Sequence, residues 1–254
     1  MFVDTHCHIH ESGFYLDNRE EVYTRALDAD VKMICIGTSE KFSFEAVEFA
    51  KTHENVWTTV GVHPHDAKDG WEKIGEILAD NLPKQAKIVG IGEIGLDYFY
   101  DNSPRDTQIR ALEQQLQWAT RYNLPVSFHV RESFDDFWPI FANFPGLRGV
   151  LHSFTDSIKN MEKALSEGLF IGVNGISTFA KDKQEMWDEI PLAKILLETD
   201  APFLTPEPFR GKMNEPVFVR NVAEYHANRR GVDLEELARI TSTNATALFH
   251  LKVK

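Results

Sequence analysis

The sequence predicts an α/β fold of the (β/α)8 TIM barrel type, a single domain over residues 1–254 with an additional C-terminal helix. Three observations carry this. Eight short apolar runs alternate with longer segments of helical period. Several runs, such as MICIG, are apolar almost throughout, as strands buried on both faces are. The length of 254 residues also suits such a barrel, which takes about 250. An open doubly wound sheet would share the periodicity; the count of eight and the length favour the barrel.

The first strand runs from Phe2 to His6, and a helix from Arg19 to Ala29 follows. Lys32 to Gly37 forms the second strand, ahead of a helix near Ser43 to Thr52. Val56 to Val62 is the third, followed by a helix from Trp71 to Ala79 in which Trp71, Ile74 and Leu78 share a face. Lys87 to Ile91 leads into the clearest helix, where Ser103 is placed to cap, Pro104 suits the first turn, and Ile109, Leu112 and Leu116 recur at helical spacing. The rhythm then repeats. Strands at Pro125 to His129, Leu147 to His152 and Leu169 to Val173 precede helices near Phe134 to Phe141, Ile158 to Ser166 and Lys183 to Ile190. Ile195 to Leu197 is the eighth strand, Pro202 to Pro216 a long loop after it, and helices at Glu215 to Asn228 and Leu234 to Phe249 close the chain.

Composition narrows the function. The net charge of −12 argues against coating duplex nucleic acid by bulk electrostatics. It leaves open chemistry on a single phosphodiester, since a divalent metal is the largest local positive charge wherever it sits. No apolar run is long enough to span a membrane, and the first ten residues, MFVDTHCHIH, lack the pattern of a secretory signal. The two cysteines, Cys7 and Cys35, make no disulfide framework and suit a reducing, cytoplasmic compartment. A monomer is expected.

The polar residues that matter stand at strand ends. His6 and His8 lie two apart, so a strand projects both to one side, about 6–7 Å apart, within reach of one ion. A pair of ordinary loop histidines would look the same. The fourth strand, however, finishes at Glu93, the fifth at His129, the sixth at His152 and the eighth at Asp200. In a closed barrel such ends meet at one mouth. His6, His8, Glu93, His129, His152 and Asp200 form a nitrogen-and-oxygen donor set suited to zinc, manganese, iron or magnesium. One or two divalent ions per chain are expected, Glu93 being able to bridge a pair through its two oxygens.

Two other readings weaken on inspection. Gly90-Ile-Gly92-Glu93-Ile-Gly95 matches GxGxxG, but Glu93 would set negative charge against a pyrophosphate, and no helix begins at the glycines. No GxSxG is present. Metal-activated water is then the economical nucleophile, with Asp200 and Glu93 as the catalytic carboxylates, Asp200 accepting the proton.

The segments DTHCH from Asp4, GVHPH from Gly61, GEIGLDY from Gly92, PVSFHVRE from Pro125, LHSF from Leu151, LLETDAPFLTP from Leu196 and GKMNEP from Gly211 resemble the TatD family of metal-dependent deoxyribonucleases, within the wider amidohydrolase-like barrel group. The resemblance spans nearly the whole chain in order. It implies hydrolysis of DNA ester bonds with Mg²⁺ or a similar cation, Mn²⁺ and Zn²⁺ being alternatives, and it carries the same six ligands onto this sequence. It implies a substrate-phosphate role for His63, and it matches Asn214 and Glu215 to the family's NEP turn. Met213 stands where the family commonly has arginine, and Thr155-Asp156 where it often has Ser-Gly.

Arg131, Arg210 and Lys212 are further candidates for substrate contact, against ordinary roles in an ion pair or facing solvent. Tyr98, Phe99 and Tyr100 suit either base stacking or a lid packed on Phe203 and Phe209. The expected activity is cleavage of DNA at accessible ends or single strands; hydrolysis of a small amide, ester or lactone by the same centre is the alternative.

Overall fold

The computed structural model describes residues 1–84, 87–100 and 102–252. Its strands are β1 (Phe2–Cys7), β2 (Val31–Ile36), β3 (Val56–Val60), β4 (Ile88–Asp97), β5 (Val126–Arg131), β6 (Gly149–Leu151), β7 (Phe170–Val173) and β8 (Ile195–Leu197). They follow one another in sheet order β1 to β8, and β1–β2, β3–β4, β4–β5, β5–β6 and β7–β8 pair in parallel. The helices between them are α1 (Arg19–Asp28), α2 (Glu40–Thr52), α3 (Glu72–Asn81), α4 (Arg105–Tyr122), α5 (Phe134–Ala142), α6 (Ile158–Ser166) and α7 (Gln184–Glu189), with α8 (Val219–Arg230) and α9 (Leu234–Phe249) after the last strand. This is the (β/α)8 topology with one helix beyond the eighth unit. No described helix is long and apolar enough to cross a membrane.

The chain divides into two compact units, residues 36–152 and residues 1–35 with 153–254. In the first, Ser39 starts α2 by accepting from Phe42 N at 3.2 Å, a three-residue helix cap. Leu112, Leu116 and Ala119 bury the inner face of α4. Gln115 on that face is also fully buried. Its amide serves both backbone groups of Val62, accepting from the N–H at 2.7 Å and donating to the carbonyl at 3.2 Å. Gly95 shows why a glycine-rich strand lies here. Its φ is +154°, and an added Cβ would fall 1.7 Å from the His129 carbonyl oxygen. Gly95 thus brings β4 against β5, and no phosphate cradle is needed to explain it.

In the other unit, Asp233 caps α9 by accepting from Glu235 N at 2.8 Å. Asn244 on α9 donates to the carbonyls of Leu192 and Ile195 at 2.8 and 2.9 Å, tying the helix to the start of β8. Trp187 is buried, and its indole N–H donates to Phe154 O at 2.9 Å. His226 is buried on α8, with Nε2 2.8 Å from Ser177 Oγ. That hydroxyl donates to Asn174 O, so Nε2 carries the proton and the imidazole is neutral.

Three local expectations change. Pro104 is the cap position of α4, not its first turn, and Ser103 makes no cap hydrogen bond there; its hydroxyl instead donates to His65 O and accepts from Lys68 N. The strand carrying Glu93 continues to Asp97, and β5 continues two residues past His129, because both strands keep pairing beyond their apolar stretch. Glu215 begins no helix: Pro216–Phe218 is a 3₁₀ turn, and α8 starts at Val219.

Replacing Gln115 with Leu will leave two buried backbone groups unpaired and should cost about 2–4 kcal/mol, read as a lower midpoint in urea unfolding. Burial, aided by the nearby Arg230 charge, pushes the His226 pKa down to about 3. The unfolded chain takes up this proton near pH 6.5, so the stabilisation is full above that value and declines as pH falls towards 3. The His226→Gln variant should flatten that slope, at most about 1.4 kcal/mol per pH unit, in unfolding curves taken between pH 4 and 7.

Candidate metal centre

In the unit formed by residues 36–152, adjacency of β4 and β5 sets the geometry. Gly95 and His129 are register partners, which brings the His129 ring beside Glu93. His129 Nδ1 lies 2.9 Å from Glu93 Oε1, while Nε2 lies 2.9 Å from Asp97 Oδ2. The same Asp97 oxygen is 3.0 Å from His65 Nε2. Its other oxygen accepts from the N–H groups of Phe99 and Tyr100, both at 3.0 Å. Burial opposes ionisation of Asp97, but the hydrogen bonds from His129 and His65 outweigh it and hold the carboxyl well below its usual range. The effect is mutual: burial disfavours a charge on His129, yet Asp97 and Glu93 raise its pKa. A carboxylate on the far nitrogen of a histidine is the usual brace for a metal ligand.

His63 behaves differently. Its Nδ1 accepts from His65 N at 3.1 Å, which assigns the ring proton to Nε2, 3.6 Å from Glu93 Oε1. Burial and then the charge of His129 push its pKa well below the ordinary value, so it stays neutral. By distance alone His63, Glu93 and His129 offer three donor atoms within 4.8 Å of one another. The tautomer decides between roles: an Nε2–H donates to an oxygen and does not ligate a cation. His152 follows β6 directly, with Nε2 3.8 Å from Glu93 Oε1.

The other unit repeats the arrangement on β1 and β8. His8 Nε2 lies 3.2 Å from Asp200 Oδ1, and its Nδ1 lies 3.1 Å from Glu11 Oε1. Burial works against a charged His8, but the bonds to Asp200 and Glu11 prevail and raise its pKa well above normal. His6 Nε2 is 3.6 Å from the same Asp200 oxygen. Cys7, between the two histidines, points elsewhere, its Sγ 3.6 Å from Ile34 O. Asp4 accepts from His6 N, Thr199 N and Thr199 Oγ1; burial pushes its pKa up to about 8. It locks β1 to the segment that carries Asp200.

The loop beyond Asp200 is pinned by Asn214. Its Nδ2 donates to Thr199 O at 2.8 Å and Phe203 O at 2.5 Å, and Tyr15 Oη donates to its carbonyl. Glu215 takes a two-pronged contact from Arg25 at 2.8 and 3.0 Å. In the same loop, Arg210 lies 3.8 Å over the Phe179 ring and donates to Thr205 O. Lys212 lies 5.4 Å over Phe209, and Phe209 stacks on Phe218. Arg131 lies 3.8 Å over Phe99 and 5.0 Å over Tyr100.

Within each unit the expected ligands converge: His6, His8 and Asp200 in one, Glu93, His129 and His152 in the other. Glu11 and Asp97, the braces, escaped sequence reading. Even spacing from Glu93 to Asp97 along one strand was the available signal for Asp97; Glu11 lies in a turn, where no periodicity points. The donor set fits a divalent cation. Imidazole nitrogens and carboxylate oxygens stand beside one another, and the carboxylates supply negative charge that draws protons onto His8 and His129 and would equally draw a metal.

A family model described as TatD related DNase matches residues 3–250. An uncharacterized metal-dependent hydrolase, YabD of Bacillus subtilis, is 36% identical over 99% of this chain and 100% of its own length. The 3'-5' ssDNA/RNA exonuclease TatD of Erwinia amylovora is 37% identical over 93% of this chain and 95% of its own. The crystal structure of YJJV, a TatD homolog from Escherichia coli K12, superposes with a TM-score of 0.89 at 31% identity, covering 98% of both chains.

If Asp97 braces a ligand, Asp97→Asn should weaken Mn²⁺ binding about 10–100-fold while the circular dichroism spectrum stays unchanged. Calorimetric titration of the metal-stripped protein reads this directly, and equal affinities in the two proteins would dismiss the brace.

Proposed function

The chain belongs to the TatD family of metal-dependent deoxyribonucleases, and from that membership we propose that it is one hydrolase domain cleaving DNA at the ends of single strands. His6, His8, Glu93, His129, His152 and Asp200 are the proposed ligands of one or two divalent cations, Mg²⁺ foremost. The observation that carries the reading is a matched pair of braced imidazoles. His8 is held by Glu11 at one nitrogen with Asp200 at the other; His129 is held by Asp97 with Glu93 at the other.

A bound divalent cation would lower the pKa of water and neutralise charge growing on a phosphoryl oxygen. The protein's own groups do the remainder. Asp200 accepts the proton released by the attacking water, its carboxylate already set beside His8. Glu93 would hold the cation through its carboxylate, and His63, neutral with its proton on Nε2, donates to a phosphate oxygen. Arg131, Arg210 and Lys212 are the proposed substrate cations. Of these, Arg131 sits in the same unit as Glu93, His129 and His63. Preference for a free end over a duplex agrees with the net charge of −12, which gives little help in holding a long polyanion. It also agrees with the activity for which the Erwinia relative is named. Two buried free cysteines support a reducing, cytoplasmic setting.

The test is cleavage of end-labelled single and double strands after chelation and metal return. Stripped protein should be inactive, and Mg²⁺ or Mn²⁺ should restore product. Asp200→Asn should lower kcat by at least about 100-fold, in line with loss of a general base. Full cleavage by verified metal-free protein would overturn the mechanism.

A further inference from the structure

Three consecutive aromatic side chains follow Asp97, and the structure separates them. Tyr98 is engaged: its hydroxyl donates to Asp136 Oδ2 at 2.8 Å, and Arg105 lies 4.0 Å over its ring. Phe99 and Tyr100 are 49% and 45% exposed, a large apolar area to leave in water at two adjacent positions. They are nonetheless held firmly. Their rings meet edge to face at 4.7 Å, and both backbone N–H groups are fixed by the Asp97 carboxylate. Tyr100 also packs edge to face against His65, with centroids 5.3 Å apart.

We propose that Phe99 and Tyr100, together with Arg131, form a subsite that stacks a nucleobase of the single strand and grips a neighbouring phosphate. The inference rests on the nuclease reading above and names the part of the substrate that this surface takes. Asp97 connects the subsite to the metal centre, because one carboxylate sets the aromatic turn through Oδ1 and orients His129 through Oδ2. A base lying on these rings is therefore held at a fixed offset from the braced ligand.

Arg131 completes the chemistry. Tyr98 N donates to Arg131 O at 3.0 Å, so the strand holds the arginine backbone level with the aromatic turn. The guanidinium carbon lies 3.8 Å from the centre of the Phe99 ring, and its N–H groups are what it offers to a phosphate oxygen. Rings for bases and a cation for the backbone are what sequence-tolerant single-strand binding requires. A double helix keeps its bases stacked inside and offers these rings nothing, so the subsite also accounts for a preference for single strands.

The experiment compares ordinary single-stranded oligonucleotides with strands made abasic at the terminal positions. Binding is followed by fluorescence anisotropy in Ca²⁺, and cleavage by KM and kcat in Mg²⁺. Phe99→Ala and Tyr100→Ala should each weaken binding of the ordinary strand and raise its KM about tenfold, with the loss falling on KM more than kcat. The wild-type penalty for removing the bases should shrink towards unity in both variants. Phe99→Trp and Tyr100→Phe should restore affinity, and Arg131→Gln should reduce the salt dependence of binding by about 0.7 in the log–log slope. Unchanged KM and anisotropy in both alanine variants, with cleavage intact, would overturn the subsite alone. Failure of the wild type to cleave any strand with metal present would instead remove the nuclease reading and the subsite with it.

Discussion

Carboxylates withdrawn from water and set against imidazoles govern both units of this protein. An ionised carboxylate is costly to bury unless something positive or hydrogen-bonding meets it. Here the answer is histidine, arranged so that one imidazole nitrogen meets a holding carboxylate and the other meets a proposed ligand. Asp97 stands below its usual pKa, and His8 and His129 stand above theirs. These opposite shifts describe one pairing, in which carboxylate and imidazole stabilise each other's charged form. The chemistry proposed for the family member follows from these paired contacts more directly than from any single residue.

Such an arrangement works only where the backbone does not wander. In the unit of residues 36–152, Gly95 lets β4 approach β5 until any side chain would strike the His129 carbonyl; Gln115 satisfies Val62 beneath the turn that leads to His63. In the other unit, Asp4 and Asn214 hold the segments either side of Asp200. Glu198 accepts from Ser153 N at 2.6 Å and Asn174 Nδ2 at 3.3 Å, fixing the two neighbouring loops. Met213, which the family resemblance set apart, is 57% exposed and leaves the Asn214 anchorage intact. The NEP turn therefore acts here as a fastening for the loop, whatever the residue before it contributes to substrate.

Sequence reading succeeded where period and strand ends carry information. The eight βα units and α9 to the residue follow from periodicity, two residues in a strand and about 3.6 in a helix, which an element imposes regardless of its neighbours. It was less exact where tertiary pairing extends an element. β4 runs on to Asp97 because β5 continues beside it, and nothing in LDYFY announces that the aspartate is buried while the next aromatic residues are not. Ser103 had the chemistry of a helix cap, but His65 O and Lys68 N, distant in sequence, claimed its hydroxyl. Phe209, weighed as a surface for a lid to pack on, is itself stacked on Phe218.

Residue order alone determined the fold class, the family and the identity of the candidate ligands, because those depend on periodicity and on motifs short enough to read along the chain. Only tertiary structure decided which groups brace the ligands, which tautomer His63 adopts, and which of three adjacent aromatic rings is left open. These properties belong to contacts between residues far apart in sequence, where a hydrogen bond or a ring stack is made or lost over an ångström, a distance that no spacing rule resolves.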